Sequence, residues 1–115
     1  MVVSVAALMN IPTTDNEFNQ WSFAHAAHHR DCIRATFAKN GTELAEYVLD
    51  PLNRGDGFGT WLYNHQAMHT AQNAALGTQG FDLTDTNWQD AGQLASWIQD
   101  NENEHYQWAT ILGVG

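Results

Sequence analysis

The chain has 115 residues, with 4 basic and 13 acidic side chains and a formal net charge of −9 at pH 7. This balance argues against direct nucleic-acid binding, which depends on Lys and Arg, and against adsorption to anionic membranes. The length suits a single domain, and no stretch approaches the roughly 20 apolar residues that a membrane span requires. With 43% hydrophobic residues, the composition favours a packed core.

An uncharged, apolar segment covers residues 1–12. It includes a Val-Ser-Val alternation and closes at Ile11-Pro12, which indicates an extended N-terminal arm. The arm could fold back over the domain, or it could dock on a neighbouring subunit, because an exposed apolar segment of this length favours association. We expect the helical domain to span residues 13–115. The candidate partner-binding residues of the arm are Val2, Val3, Val5, Leu8, Met9 and Ile11.

A long first helix is predicted to begin at a capping box formed by Thr14 and Glu17 and to end at Gly41. His29 is expected to face outward or to lie at the rim of this helix. The residues of its main packing stripe are Phe18, Trp21, His25, His28, Cys32 and Thr36. The residues expected to widen the buried arc are Phe23, Ile33 and Phe37.

Three further helices follow in the sequence. A short one is predicted over residues 43–49 and a long one over residues 60–76. A second capping box, Thr86 with Gln89, predicts the start of the last helix, which runs to Leu112. These elements predict an all-α fold, a small four-helix bundle of three long helices and one short helix.

Histidines recur on the predicted packing faces of three helices. His65 and His69 lie four residues apart on one face, and residues of the first and last helices could converge on them. Imidazole and carboxylate ligands suit zinc, iron or manganese. A dinuclear carboxylate site would need a second Glu-x-x-His element, which the chain does not supply, so a mononuclear site is preferred. Its candidate ligands are His25, His65, His69, Glu102 and His105.

The sequence favours an interpretation of the same histidines without a metal or any other cofactor. They could form a buried hydrogen-bond network, or they could lie half exposed where another subunit packs. Other chemistries have less support, because the chain lacks a phosphate-binding loop and its single cysteine, Cys32, lies on the packing stripe of the first helix. No catalytic residue is predicted, and the sequence favours a non-enzymatic role.

Several stretches of the chain form a recognisable pattern. They are WLYNHQAMHTAQNAALG (61–77), GFDLTDTNW (80–88), NEH (103–105) and LG (112–113). This pattern resembles small uncharacterised helical proteins of tailed bacteriophages. The resemblance covers roughly residues 18–113 and implies a virion-associated or assembly role. It transfers no catalytic residues.

Two functions are therefore expected from the sequence. The first is a structural or accessory virion protein that docks on other virion proteins or on copies of itself, through its arm and helical surfaces, in a multi-copy assembly. Such a protein would reside in the host cytoplasm before it enters the virion. The alternative is a cytoplasmic metal-binding helical bundle with hydrolytic or redox activity at the histidines.

Overall fold

The computed structural model describes residues 14–45, 58–80, 87 and 90–114. They contain three helices, α1 (Asp15–Asn40), α2 (Phe58–Leu76) and α3 (Ala91–Leu112). All regular secondary structure in these ranges is helical, which confirms the predicted all-α class. Among the described residues, no helix is both long and apolar enough to cross a membrane.

The two ends of α1 follow the sequence signals. The Thr14 hydroxyl oxygen accepts a hydrogen bond from the Glu17 amide at 3.1 Å, so the predicted cap is confirmed. Gly41 has a φ of 77°, and its amide donates to the Phe37 carbonyl at 2.8 Å. A left-handed residue at this position favours glycine, which is why the helix ends here.

Other predicted boundaries differ from the structure. α2 begins at Phe58, two residues before the expected start. The predicted start of the last helix at Thr86 is wrong, because the Asp90 carboxylate caps α3 by accepting from the Gln93 amide at 2.9 Å.

The described residues contain three helices rather than the predicted four. Residues 41–45 are not helical, so the expected start of the short helix at Glu43 is wrong. Residues 46–49 lie outside the described residues. The same is true of the N-terminal arm and its six candidate partner-binding residues.

α1 packs against both α2 and α3, and the three buried faces meet around tryptophan side chains. Cys32 is fully buried, as expected for a small apolar side chain on the packing stripe. The residues of the apolar core are Trp21, Ala26, Trp61, Met68, Leu94, Trp97 and Ile98, with Ile33 packed against them.

The buried arc of α1 is narrower than predicted. Phe23 and Phe37 are 62% and 56% exposed, so their expected place in the core is wrong. Helices α2 and α3 cover the stripe of α1 that contains His25 and Thr36. The opposite side of α1 stays at the surface. The histidines of α1 therefore lie in the middle of its buried face.

Candidate metal centre

All six histidines of the chain are buried in the middle of the helical domain. None of their side chains is more than 1% exposed. Helix α1 contributes three of these histidines, α2 contributes two and α3 contributes one. Residues three or four apart on a helix project from the same face, so the histidines of one helix can point to the same place. The six residues are His25, His28, His29, His65, His69 and His105.

Five of these side chains form one compact group, which we call the five-histidine centre. One ring nitrogen of each lies within 4.8 Å of a ring nitrogen of every other member. Its members are His25, His29, His65, His69 and His105.

Contacts between Nε2 atoms link the five rings in a chain. His25 Nε2 lies 2.7 Å from His65 Nε2 and 2.9 Å from His29 Nε2. His105 Nε2 lies 3.1 Å from His29 Nε2 and 3.3 Å from His69 Nε2. With metal–nitrogen bonds of about 2.1 Å, neighbouring ligand atoms are about 3.0 Å apart in an octahedron and about 3.4 Å apart in a tetrahedron. The observed spacings are close to this range.

The Nδ1 atoms of three rings face outward, toward acceptors. His69 Nδ1 lies 3.3 Å from Glu104 Oε1, and His105 Nδ1 lies 2.6 Å from His28 Nδ1. His25 Nδ1 is 3.3 Å from Glu102 Oε1, a pair at ion-pair distance but without hydrogen-bond alignment. A proton on Nδ1 leaves the Nε2 lone pair directed at the centre, and outer carboxylates fix metal-ligating imidazoles in this way.

Hydrogen bonds among the rings account poorly for the Nε2 contacts. Each ring nitrogen carries either one hydrogen or one lone pair in the ring plane, so it can align with one partner. His25 Nε2 and His105 Nε2 each have two Nε2 neighbours within 3.3 Å. A cation at the point where the lone pairs meet would satisfy every ring at once.

Burial keeps the imidazoles neutral, which is the form that binds metal. It lowers the pKa of His65 to about 3. For the other four members, burial and then neighbouring histidines hold the pKa well below its usual value. Burial also lowers the pKa of His28, although the Val114 backbone and Asp31 act in the opposite direction.

Glu104 belongs to a fully connected polar network beside His69. Its Oε1 accepts from Asn73 Nδ2 at 2.6 Å. The other end of the Asn73 amide accepts from Trp108 Nε1 at 2.8 Å and from the Thr78 hydroxyl at 2.7 Å. Gly80 lies against the same pair, because an added Cβ there would collide with Asn73 Nδ2 and Glu104 Oε1.

Glu102 lies in a more apolar environment beside His25. Burial raises the pKa of its carboxyl to about 9, and the nearby Trp21 indole acts in the opposite direction. Neither carboxyl oxygen makes a hydrogen bond of good geometry with another described residue. The carboxyl of Glu102 is therefore protonated at neutral pH when no cation is near.

Tryptophan rings enclose the centre and separate it from water. Trp21 stacks on His25 with ring centroids 4.5 Å apart, and Trp61 stacks on His65 at 4.8 Å. Trp108 packs 4.5 Å from His69. An apolar shell of this kind restricts solvent access and strengthens electrostatic interactions inside it.

The structure brings together four of the five predicted ligands, His25, His65, His69 and His105. Glu102 contacts the outward nitrogen of His25 and does not belong to the group of five ligand atoms.

Sequence reasoning missed His29, and its expected position at the rim is wrong because its ring is 1% exposed and lies among the others. The signal was present, since His25 and His29 repeat the four-residue spacing of His65 and His69. His28 lies behind His105 and does not belong to the five-histidine centre.

No protein-family model, curated protein or solved structure matches this chain. The resemblance to phage proteins therefore stays a prediction, and the site itself is the basis for a functional proposal.

Proposed function

We propose that this protein binds one ion of a first-row transition metal in the five-histidine centre. The observation that supports this most directly is the convergence of the Nε2 atoms, combined with acceptors behind the Nδ1 atoms of three rings. This combination orients the imidazole lone pairs toward a common point. Buried lone pairs that meet no ion and no hydrogen-bond donor cost free energy, so the arrangement favours a bound metal ion.

The size of the centre fits one ion rather than two. All five ligand atoms lie within 4.8 Å of one another, which allows metal–ligand distances close to the ordinary value. Two-metal sites hold their ions about 3.5 to 4 Å apart and distribute ligands around both. A mononuclear centre also agrees with the absence of a carboxylate from the group of five ligand atoms.

The ligand set favours zinc or iron over manganese. Neutral imidazole suits zinc, copper, iron and nickel, whereas manganese prefers carboxylate and other oxygen ligands. Geometry and availability decide between these ions in a cell, because affinities for most nitrogen sites follow the same order.

The closed surroundings favour a stabilising or electron-transfer role over hydrolysis. Hydrolytic metal sites keep an open position for water, and here five buried imidazoles and three tryptophans surround the point where the lone pairs meet. An ion in this position would join α1, α2 and α3, so its binding free energy would add directly to the stability of the fold.

A virion role stays a separate prediction. The arm on which it depends, residues 1–12, lies outside the described residues. The two functions do not compete, because a small domain stabilised by a metal ion can still dock on other proteins.

Metal analysis of the purified full chain tests the proposal. The protein is refolded in the presence of Mn²⁺, Fe²⁺, Co²⁺, Ni²⁺, Cu²⁺ and Zn²⁺ in turn, passed through a desalting column and measured by elemental analysis. We expect about one ion per chain for at least one metal, and an affinity at least about 100-fold lower in His69→Ala.

Ser22→Ala is the matched control, because Ser22 is a buried polar residue of α1 outside the five-histidine centre. It should keep the affinity of the unmodified protein. Absence of stoichiometric binding for every metal, or equal metal content in His69→Ala and Ser22→Ala, would overturn the proposal.

A further inference from the structure

Asn101 places a buried amide against the five-histidine centre. It lies on α3 one helical turn before His105, and it is fully buried. Its Nδ2 lies 3.3 Å from His65 Nε2, the nitrogen that faces the other imidazoles. Its Oδ1 makes no hydrogen bond with another described residue. One end of the amide therefore faces the centre, while the oxygen at the other end has an unmet hydrogen-bond requirement.

Metal binding removes the present contact of the Asn101 amide nitrogen. A ligating His65 directs its Nε2 lone pair to the ion, so that lone pair no longer accepts a hydrogen bond. A half-turn about the Cβ–Cγ bond exchanges the amide nitrogen and oxygen, which have nearly the same size. Oδ1 would then occupy the position 3.3 Å from His65 Nε2, a spacing close to that of neighbouring ligands around one ion.

We propose that the amide oxygen of Asn101 is the sixth ligand of the metal ion, an inference that rests on the proposed function. Five imidazole nitrogens and one neutral oxygen form a six-coordinate set. Structural zinc sites are tetrahedral, so this set improves the binding of Fe²⁺, Co²⁺ and Ni²⁺ relative to Zn²⁺. The same rotation gives the Asn101 oxygen a partner in the ion and moves the amide N–H groups to the position where the oxygen makes no hydrogen bond.

Cobalt spectroscopy on the full chain tests this ligand. Six-coordinate Co²⁺ absorbs weakly in the visible range, and the absorption strengthens when the coordination number falls. We expect Asn101→Leu to raise the Kd for Co²⁺ about tenfold and to intensify the visible bands. Asn101→Asp keeps an oxygen ligand and adds a negative charge, so it should keep weak bands, shift them and bind Co²⁺ about tenfold more tightly.

The outcomes separate this proposal from the previous one. If the unmodified protein does not bind Co²⁺ or any other metal, the proposed function fails. If it binds Co²⁺ and Asn101→Leu has the same Kd and spectrum, Asn101 is not a ligand, and the proposed function stands.

Should Asn101→Leu fail to fold by circular dichroism, Asn101→Asp decides the question. An Asn101→Asp protein with the Kd and bands of the unmodified protein overturns the proposal. Ser22→Ala again serves as the control for the loss of a buried polar group, and it should leave both the Kd and the bands unchanged.

Discussion

Glu102 and Glu104 each place a carboxyl group 3.3 Å from an outward imidazole nitrogen, yet their surroundings differ. Glu104 contacts His69, accepts a short hydrogen bond from Asn73 and lies beneath Gly80. Glu102 contacts His25 near the Trp21 ring, and its oxygens lack well-aligned hydrogen bonds with the described residues. Two residues that are close in sequence therefore provide two different supports for the same centre.

This difference indicates which half of the centre is ready to bind an ion. The network around Glu104 holds His69 in place through hydrogen bonds that need no metal. On the Glu102 side, burial keeps the carboxyl protonated, and a nearby cation would favour its ionised form. Metal binding should therefore strengthen the contact between Glu102 and His25 more than the contact between Glu104 and His69.

The largest expected effect is acid unfolding of the metal-free protein. The pKa of every one of the six histidines is lowered in the folded state, so the unfolded chain binds more protons below pH 6.5. Each histidine that stays neutral in the folded state lowers the free energy of unfolding by at most about 1.4 kcal/mol for each pH unit below this value. The loss begins near pH 6.5, and for His65 it continues to about pH 3.

Glu102 should produce the opposite pH dependence. Its carboxyl stays protonated up to about pH 9 when folded, whereas an unfolded glutamate ionises above pH 4.5, so the fold loses stability as the pH rises between these values. Urea unfolding between pH 5 and 9 in the presence of a chelator measures both trends. A free energy of unfolding that stays constant from pH 7 to pH 5 would contradict the neutral, buried state of the histidines.

The same substitution at the two carboxyl groups should have opposite signs. In the metal-free protein at pH 8, Glu104→Met removes the acceptor of Asn73 and should cost about 1 to 3 kcal/mol. Glu102→Met removes a buried carboxyl without good hydrogen bonds and should stabilise the fold, by on the order of 1 kcal/mol. Urea unfolding of both variants provides the measurement. Equal destabilisation by the two substitutions would show that the two sides are alike.

A smaller effect is expected at Gly80, which lies against Glu104 and its partner Asn73. An added Cβ must displace both Asn73 Nδ2 and Glu104 Oε1, and the hydrogen bond between them holds both in place. Gly80→Ala should therefore cost about 1 to 2 kcal/mol and lower the metal affinity. Gly92→Ala is the control, because its Cβ would meet only Asp90 at an ordinary 3.4 Å. Thermal unfolding that is the same in both variants would exclude a close fit at Gly80.

Local signals in the sequence predicted the helices better than their contacts. The Thr14 cap and the glycine at position 41 define both ends of α1 because capping depends on neighbouring residues alone. The sequence predicted the start of the last helix at Thr86, whereas Asp90 caps α3 in the structure, because a capping side chain is common in loops and the core decides which one is used. The predicted helical start at Glu43 depends on a pattern too brief to override the non-helical conformation of residues 41–45.

The sequence also predicted that histidines from three helices would meet, because helical spacing places His65 and His69 on one packing face. It could not assign His29 to the inside. Adjacent positions on a helix differ by about 100° in direction, so a choice between His28 and His29 depends on how α1 is rotated against its neighbours. In the same way, the rotation of α3 decides that Glu102 and Glu104 lie behind different rings.

The sequence by itself determined an acidic, all-α chain with capped helices and imidazoles on their inner faces, because composition and helical periodicity are local properties. Only the tertiary structure decided which ring nitrogens converge, which carboxyl group has hydrogen-bond partners and where Asn101 lies. These features depend on differences of about 1 Å between side chains of separate helices. Such distances arise from the packing of the whole core, which no single segment encodes.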